Sequence, residues 1–216
     1  MAKIIYTGSE KTPCFELYPK GNLAIIAIEL TGISTNFAFA CLSEKMSSLY
    51  HLQVSDSKIS QFDYILKAFK QSFADNISFV NTELKDCQNG IELSEETNDK
   101  GDYNVEFSTI DRCQFLNIKK NVIDYYRGGY DESTIGGNLL VTNSRFENCG
   151  GQESNGILLN TRGIVNVNIS NNRFKNNPVK LVALLWGAKN NSHAENNISN
   201  SGEIVVEENL KLKLLY

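Results

Sequence analysis

Between Val54 and Gly202 the chain repeats one short pattern six times. VSDSKISQF (54–62), FVNTELKDC (79–87), TIDRCQFLNI (109–118), VTNSRFENC (141–149), ISNNRFKNN (169–177) and AENNISNSG (194–202) align on one apolar residue each: Ile59, Leu84, Phe115, Phe146, Phe174 and Ile198. The anchors are 25, 31, 31, 28 and 24 residues apart. Two places before each anchor stand Ser57, Thr82, Cys113, Ser144, Asn172 and Asn196, all small and mostly polar. Two places after stand Gln61, Asp86, Asn117, Asn148, Asn176 and Asn200. Units this short cannot bury an apolar face alone, so a repeat at this period implies stacking of one unit on the next.

A second apolar run follows most anchors: GIEL at 90–93, NVIDYY at 121–126, GILLNT at 156–161, LVALLW at 181–186 and EIVVEE at 203–208. Such runs are too short for helices and read as strands bounded by turns. Asparagine supplies the turns: 16 of the chain's 26 lie between Asn138 and Asn200. Asn disfavours helix and strand interiors but suits left-handed corners, and its amide can bond to the same residue one turn away. The pattern predicts an all-β fold, a right-handed single-stranded parallel β-helix of about seven or eight rungs. A sandwich would need hairpin turns, which are scarce, and a propeller would need a longer, more even period.

The flanks fit the same reading. AIIAIELTGIS (24–34) and FAFACLS (37–43) predict strands of one or two further rungs, without Asn corners. QFDYILKAFKQSFAD (61–75) has a weak helical period, but the repeat runs through it and it reads as wall plus turn. Met1–Thr12 has no amphipathic capping helix, so a strand, a loop or another domain is expected to cover that end. The tail LKLKLLY (210–216) reads as a last edge strand whose lysines blunt further pairing.

Net charge is −4, and no basic block occurs, which argues against a nucleic-acid partner. No apolar run reaches the roughly 18 residues of a membrane span. MAKIIYTGSEKTPC lacks the apolar core of a secretion signal, so an exported parent would carry its signal upstream. The five cysteines, Cys14, Cys41, Cys87, Cys113 and Cys149, form no CxxC and read as buried free thiols. His51 and His193 lack ligand spacing and read as structural. Ser133 lacks the nucleophile elbow of a serine hydrolase. The NIS and NNS tripeptides are what chance gives in so Asn-rich a chain.

YRGGYDESTIGG (126–137), FENCGG (146–151), LLNTRGIVNVNISNNRFKNN (158–177) and LWGAKNN (185–191) resemble the C-terminal parallel β-helix domain of two-domain polysaccharide lyase family 6 enzymes, the alginate lyases related to chondroitinase B. The resemblance covers most of the chain and is densest from Tyr103 to Gly202. It implies that residues 1–216 are one domain, the C-terminal part of a longer lyase whose N-terminal β-helix performs β-elimination on polyuronates. In that family a lysine base, an arginine acid and a calcium ion held by Asn and Glu act in the N-terminal domain. The NG-x-SE-like and KS-type catalytic segments are not found in this chain, so no catalytic residue and no metal ligand is assigned to it. Calcium is expected only in the parent's catalytic domain, and the parent is expected to be periplasmic or secreted.

Aligning the second strands on their closing glycines places Arg127, Arg162 and Trp186 in one column, and rung spacing brings Glu96 beside Arg127. Tyr126 and Tyr130 flank it. Arginine forks match uronate carboxylates and aromatic faces suit sugar rings, so the column is a candidate stripe for an acidic, alginate-like polysaccharide. The competing reading is a solvated ladder in which Glu96 pairs with Arg127 and Trp186 is half buried. Asp131 and Glu132, just after Arg127, read as carboxylates in a structural ion pair with that arginine that pins the glycine-rich loop. Three roles stay open: a companion domain, structural or glycan-contacting; a stand-alone β-helix adhesin or carbohydrate-binding module; and a free-standing lyase.

Overall fold

The computed structural model describes residues 1–41, 48–69, 72–93, 105–126, 138–151, 156–162, 166–186 and 192–206. They form a parallel β-solenoid with three faces. The first sheet has eight strands: Ala2–Ile5, Ile28–Thr31, Lys58–Ser60, Glu83–Lys85, Gln114–Leu116, Arg145–Glu147, Arg173–Lys175 and Ile198–Ser199. The second also has eight: Pro13–Glu16, Phe37–Cys41, Tyr64–Ala68, Asn89–Glu92, Ile123–Tyr126, Ile157–Arg162, Leu181–Trp186 and Glu203–Val206. The third has seven: Asn22–Ile26, Ser48–Ser55, Phe73–Val80, Val105–Asp111, Asn138–Thr142, Asn166–Ser170 and Ser192–Glu195. Each strand pairs in parallel with its counterpart one turn away, and no helix occurs among the described residues. The described residues of the segment 61–75 are wall and turn, with strands at Tyr64–Ala68 and from Phe73, as the repeat requires.

The corners explain the composition. Each short strand of the first sheet, from Lys58–Ser60 to Arg173–Lys175, sits between two left-handed residues: Asp56 and Gln61, Asn81 and Asp86, Arg112 and Asn117, Asn143 and Asn148, Asn171 and Asn176. Asn and Asp tolerate that backbone better than other side chains, because their short polar groups compensate locally. Inside the first corner, four small polar residues each satisfy a backbone N–H of the preceding turn, while Thr82 and Cys113 donate to carbonyls instead. Ser57 Oγ accepts from the Ile28 amide at 3.1 Å and Ser144 Oγ from the Cys113 amide at 3.0 Å. Asn172 Oδ1 accepts from the Ser144 amide at 2.9 Å and Asn197 Oδ1 from the Asn172 amide at 3.0 Å. These groups are within 2% of full burial from Ser57 to Asn172, so each unmade bond would leave a buried donor unpaired.

The anchors form one interior column, Leu30, Ile59, Leu84, Phe115, Phe146 and Phe174, each paired in register with the next. Phe115, Phe146 and Phe174 stack with centroids 5.0 and 4.9 Å apart and interplanar angles of 7° and 12°. Ile198 departs from the expected column. Phe174 pairs with Ser199, while Ile198 pairs with Arg173 and is 65% exposed. The left-handed corner at Asn196 and the Asn197 amide bonded to Asn172 set the register of this last turn. Two polar contacts at a buried corner outweigh the burial of one isoleucine where the stack has no further described turn. Asn196 accordingly sits one place before the position expected of it, whereas Asn200 still meets Asn176, its Nδ2 donating to Asn176 Oδ1 at 3.1 Å.

Four cysteines, Cys41, Cys87, Cys113 and Cys149, are buried free thiols, each pushed up to about 12 by burial. Cys14 is only half buried and is raised to about 11. At the first turn, Ala2–Ile5 is an outer strand with Ile5 64% exposed. The tail at 210–216 lies outside the described residues.

Candidate functional site

The second sheet carries a polar row on its outward side. Lys67, Glu92, Asp124, Asn160 and Leu184 occupy one register position on five successive strands. Strand alternation fixes their direction, because the neighbouring rows, such as Leu66, Ile91, Ile123 and Leu159, are fully buried. Lys67 Nζ pairs with Glu92 Oε1, and both side chains are shielded, at 14% and 20% exposure. The same ammonium lies 4.5 Å from the Tyr64 ring centroid and 5.2 Å from that of Phe69. Burial, and then the Glu92 carboxylate, push the Tyr64 hydroxyl up. Asn160 Nδ2 donates to Asp124 Oδ1 at 2.9 Å. One edge of the row is held by Asn89, which donates to Asp63 Oδ1 at 2.9 Å; burial raises the Asp63 carboxyl even so. The row thus couples a cation, two carboxylates and an amide on a rigid sheet.

The row escaped sequence reading because its spacing is irregular. Lys67 and Glu92 follow their anchors, Ile59 and Leu84, by eight residues, but Asp124 follows Phe115 by nine and Asn160 follows Phe146 by fourteen. Only strand pairing brings them level.

Two places further along the same strands come three of the sequence candidates. Tyr126, Arg162 and Trp186 occupy one register position on three adjacent strands. The residues just before them, Tyr125, Thr161 and Leu185, are wholly buried. The adjacency of Arg162 and Trp186 agrees with the glycine alignment. The place assigned to Arg127 does not: the partner of Arg162 is Tyr126, one residue earlier. Gly-to-Gly alignment marks where strands end, and the strand of Tyr126 is paired one step out of phase with that mark. Arg127, Tyr130, Asp131, Glu132, Ser133 and Glu96 lie outside the described residues. The stretch 127–137 connects the second-sheet strand Ile123–Tyr126 to the third-sheet strand Asn138–Thr142.

His51 and His193 both lie on the third sheet with four strands between theirs, and His51 Nε2 is 3.4 Å from Asp75 Oδ2.

The fold and these rows define a three-faced parallel β-solenoid with a charged face beside an arginine–aromatic strand end. No family model matches the chain, and no curated protein matches its sequence. Among solved structures it is similar to the PL6 family alginate lyase AlyGC, with a TM-score of 0.66 and 19% identity. The match covers 94% of this chain and 33% of that one. The chain therefore has a β-helix fold of the family 6 lyase kind and spans about a third of the length of that structure.

Proposed function

We propose that this chain is a polyuronate-contacting β-solenoid, the C-terminal companion domain of a family 6-type polysaccharide lyase. The observation that carries the reading is the shared register of Tyr126, Arg162 and Trp186 at the end of the second sheet, continuous with the Lys67–Glu92–Asp124–Asn160 row. Adjacent strands lie about 4.8 Å apart, so a sugar chain running along the solenoid axis meets a fresh side chain at each step. An arginine fork takes a uronate carboxylate in two hydrogen bonds, and an indole or phenol ring covers the apolar face of a pyranose. Cleavage by β-elimination belongs to a catalytic β-helix preceding this domain, together with any calcium it uses. A polymer outside the cell is the substrate, which places the parent in the periplasm or outside.

Trp186 is the chain's only tryptophan, so its fluorescence reads this site directly. Titration with oligouronates is expected to change that emission, and Arg162→Ala is expected to weaken binding about tenfold, the worth of one charge-assisted pair. Oligouronates that leave both emission and affinity-gel mobility unchanged refute the binding role. Incubation with alginate, followed by absorbance of the unsaturated product, tests the catalytic assignment. Product made by this chain alone, and lost on mutation of its own residues, makes it a free-standing lyase.

A further inference from the structure

The three faces of the solenoid differ sharply in charge. On the first sheet, one outward row alone reads Glu29, Lys58, Glu83, Gln114, Arg145 and Arg173. The second carries Lys67, Glu92 and Asp124. The third has a row, Ile26, Ser55, Val80, Asp111, Thr142, Ser170 and Glu195, with two carboxylates towards its C-terminal end, and beside it two further outward rows. One reads Asn22, His51, Asn76, Phe107, Asn138 and Asn166. The other reads Ala24, Gln53, Ser78, Thr109, Leu140, Asn168 and His193. None of the thirteen positions in these two further rows is Asp, Glu, Lys or Arg, in a chain that is 21% charged. A solvated face with no binding role gains solubility from charge and loses nothing by carrying it, as the first sheet does.

At the C-terminal half of these two uncharged rows lies a shallow depression of about 340 Å³, lined by Phe107, Asn138, Leu140, Asn166, Asn168 and His193. Phe107 is 53% exposed and Leu140 36%. They stand on adjacent strands, two residues out of step, and make a small apolar platform. Amides border it on two adjacent strands. Asn166 Nδ2 donates to Asn138 Oδ1 at 2.7 Å and Asn138 Nδ2 to the Glu106 carbonyl at 3.1 Å, which fixes both amides on the sheet. Asn168, exposed, brings a carbonyl oxygen and an NH₂ group of its own.

The geometry points to this face, centred on Phe107, Leu140, Asn166 and Asn168, as a binding site for a neutral sugar chain. An aromatic ring flush with a flat sheet matches the C–H face of a pyranose. Amides that both donate and accept match paired hydroxyls, and the lining of the depression holds no Asp, Glu, Lys or Arg to reward a carboxylate. The site is separate from the second-sheet strand end and takes the opposite class of glycan.

Affinity electrophoresis of the full chain in gels containing mannan, β-1,3-glucan, galactan or alginate tests it. Wild type is expected to be retarded by at least one neutral polymer. Phe107→Ala is expected to weaken that retardation about tenfold, the upper end of one aromatic contact, and to leave alginate mobility unchanged. Asn168→Asp is expected to act in the same direction by placing a charge on the face. Both positions are exposed, so circular dichroism should stay as in wild type. Arg162→Ala and Trp186→Ala should not affect the neutral polymers, which separates failure here from failure of the polyuronate site. Retardation by none of the neutral polymers overturns the inference, as does neutral retardation that survives both substitutions. A concentration-dependent dimer abolished by Phe107→Ala would make the face a protein contact and also overturns it.

Discussion

Asn172→Asp probes the buried corner with almost no change of shape. Asn172 is 2% exposed. Its Oδ1 accepts from the Ser144 amide at 2.9 Å, and its Nδ2 donates to the Val141 carbonyl at 2.8 Å and to Asn197 Oδ1 at 3.1 Å. An aspartate keeps the first bond. Its other oxygen then faces two acceptors. When protonated, the carboxyl can donate to only one of them, a loss of about one hydrogen bond or ~1 kcal/mol. When ionised, it meets both oxygens and pays for burial. Fully buried carboxyls rise by roughly 3 units or more, and at about 1.4 kcal/mol per unit that adds about 4 kcal/mol.

The folded pKa therefore lies above the unfolded value of about 3.9. Stability relative to wild type is kept below about pH 4, falls as pH rises towards the folded pKa, and is flat beyond it. The total deficit at pH 7 is about 5 kcal/mol by the same bookkeeping. Asn172→Ala strands the Ser144 donor and the Val141 acceptor at every pH, at a cost of about 3 kcal/mol. Urea denaturation followed by circular dichroism at pH 4, 5.5 and 7, with wild type subtracted, measures both. A deficit for Asn172→Asp that is constant from pH 4 to 7, or that shrinks as pH rises, refutes the account of the corner.

Gly90→Ala would place a Cβ 2.0 Å from the Val122 carbonyl oxygen, a backbone atom, and is expected to cost at least ~3 kcal/mol in a thermal melt; a melting temperature within a degree of wild type contradicts it. Phe146→Ala removes a ring stacked on both sides, whereas Phe174 is stacked only on Phe146, so Phe146→Ala should be the more costly by about 1 kcal/mol; urea midpoints in the reverse order count against the stack as a stabilising unit. Buried thiols near pKa 12 should ignore a neutral-pH thiol reagent in the native state, with only Cys14 labelling slowly and all five reacting in urea. Because these thiols are raised above their unfolded value, stability should also decline as pH climbs from about 9 towards 12, readable as a falling melting temperature; a flat profile there would mean the thiols reach solvent.

The repeat made the solenoid legible because its corners are chemically demanding. Left-handed backbone selects Asn and Asp, buried backbone groups select small polar residues or Cys inside them, and a stacked column selects one apolar residue per turn. Those demands recur in every turn, so they print a readable pattern from Ser57 to Asn177. Where the demands weaken, the reading slipped: Ile198 matched in hydrophobicity, but the last turn takes its register from Asn196 and Asn197.

The outward faces are another matter. Connections of unequal length separate the strands, so residues level in space have no common offset in sequence, as Lys67, Glu92, Asp124 and Asn160 illustrate. Arg162 and Trp186 were paired correctly because glycines follow both, and Arg127 was misplaced by the same device. Sequence alone determined that the chain stacks, what fills its core and why its corners are asparagine, since those are local requirements repeated at each turn. Tertiary structure alone decided which polar side chains share a row and that two adjoining rows of the third face carry no Asp, Glu, Lys or Arg, because hydrogen-bonded pairing between turns, blind to loop length, sets the register.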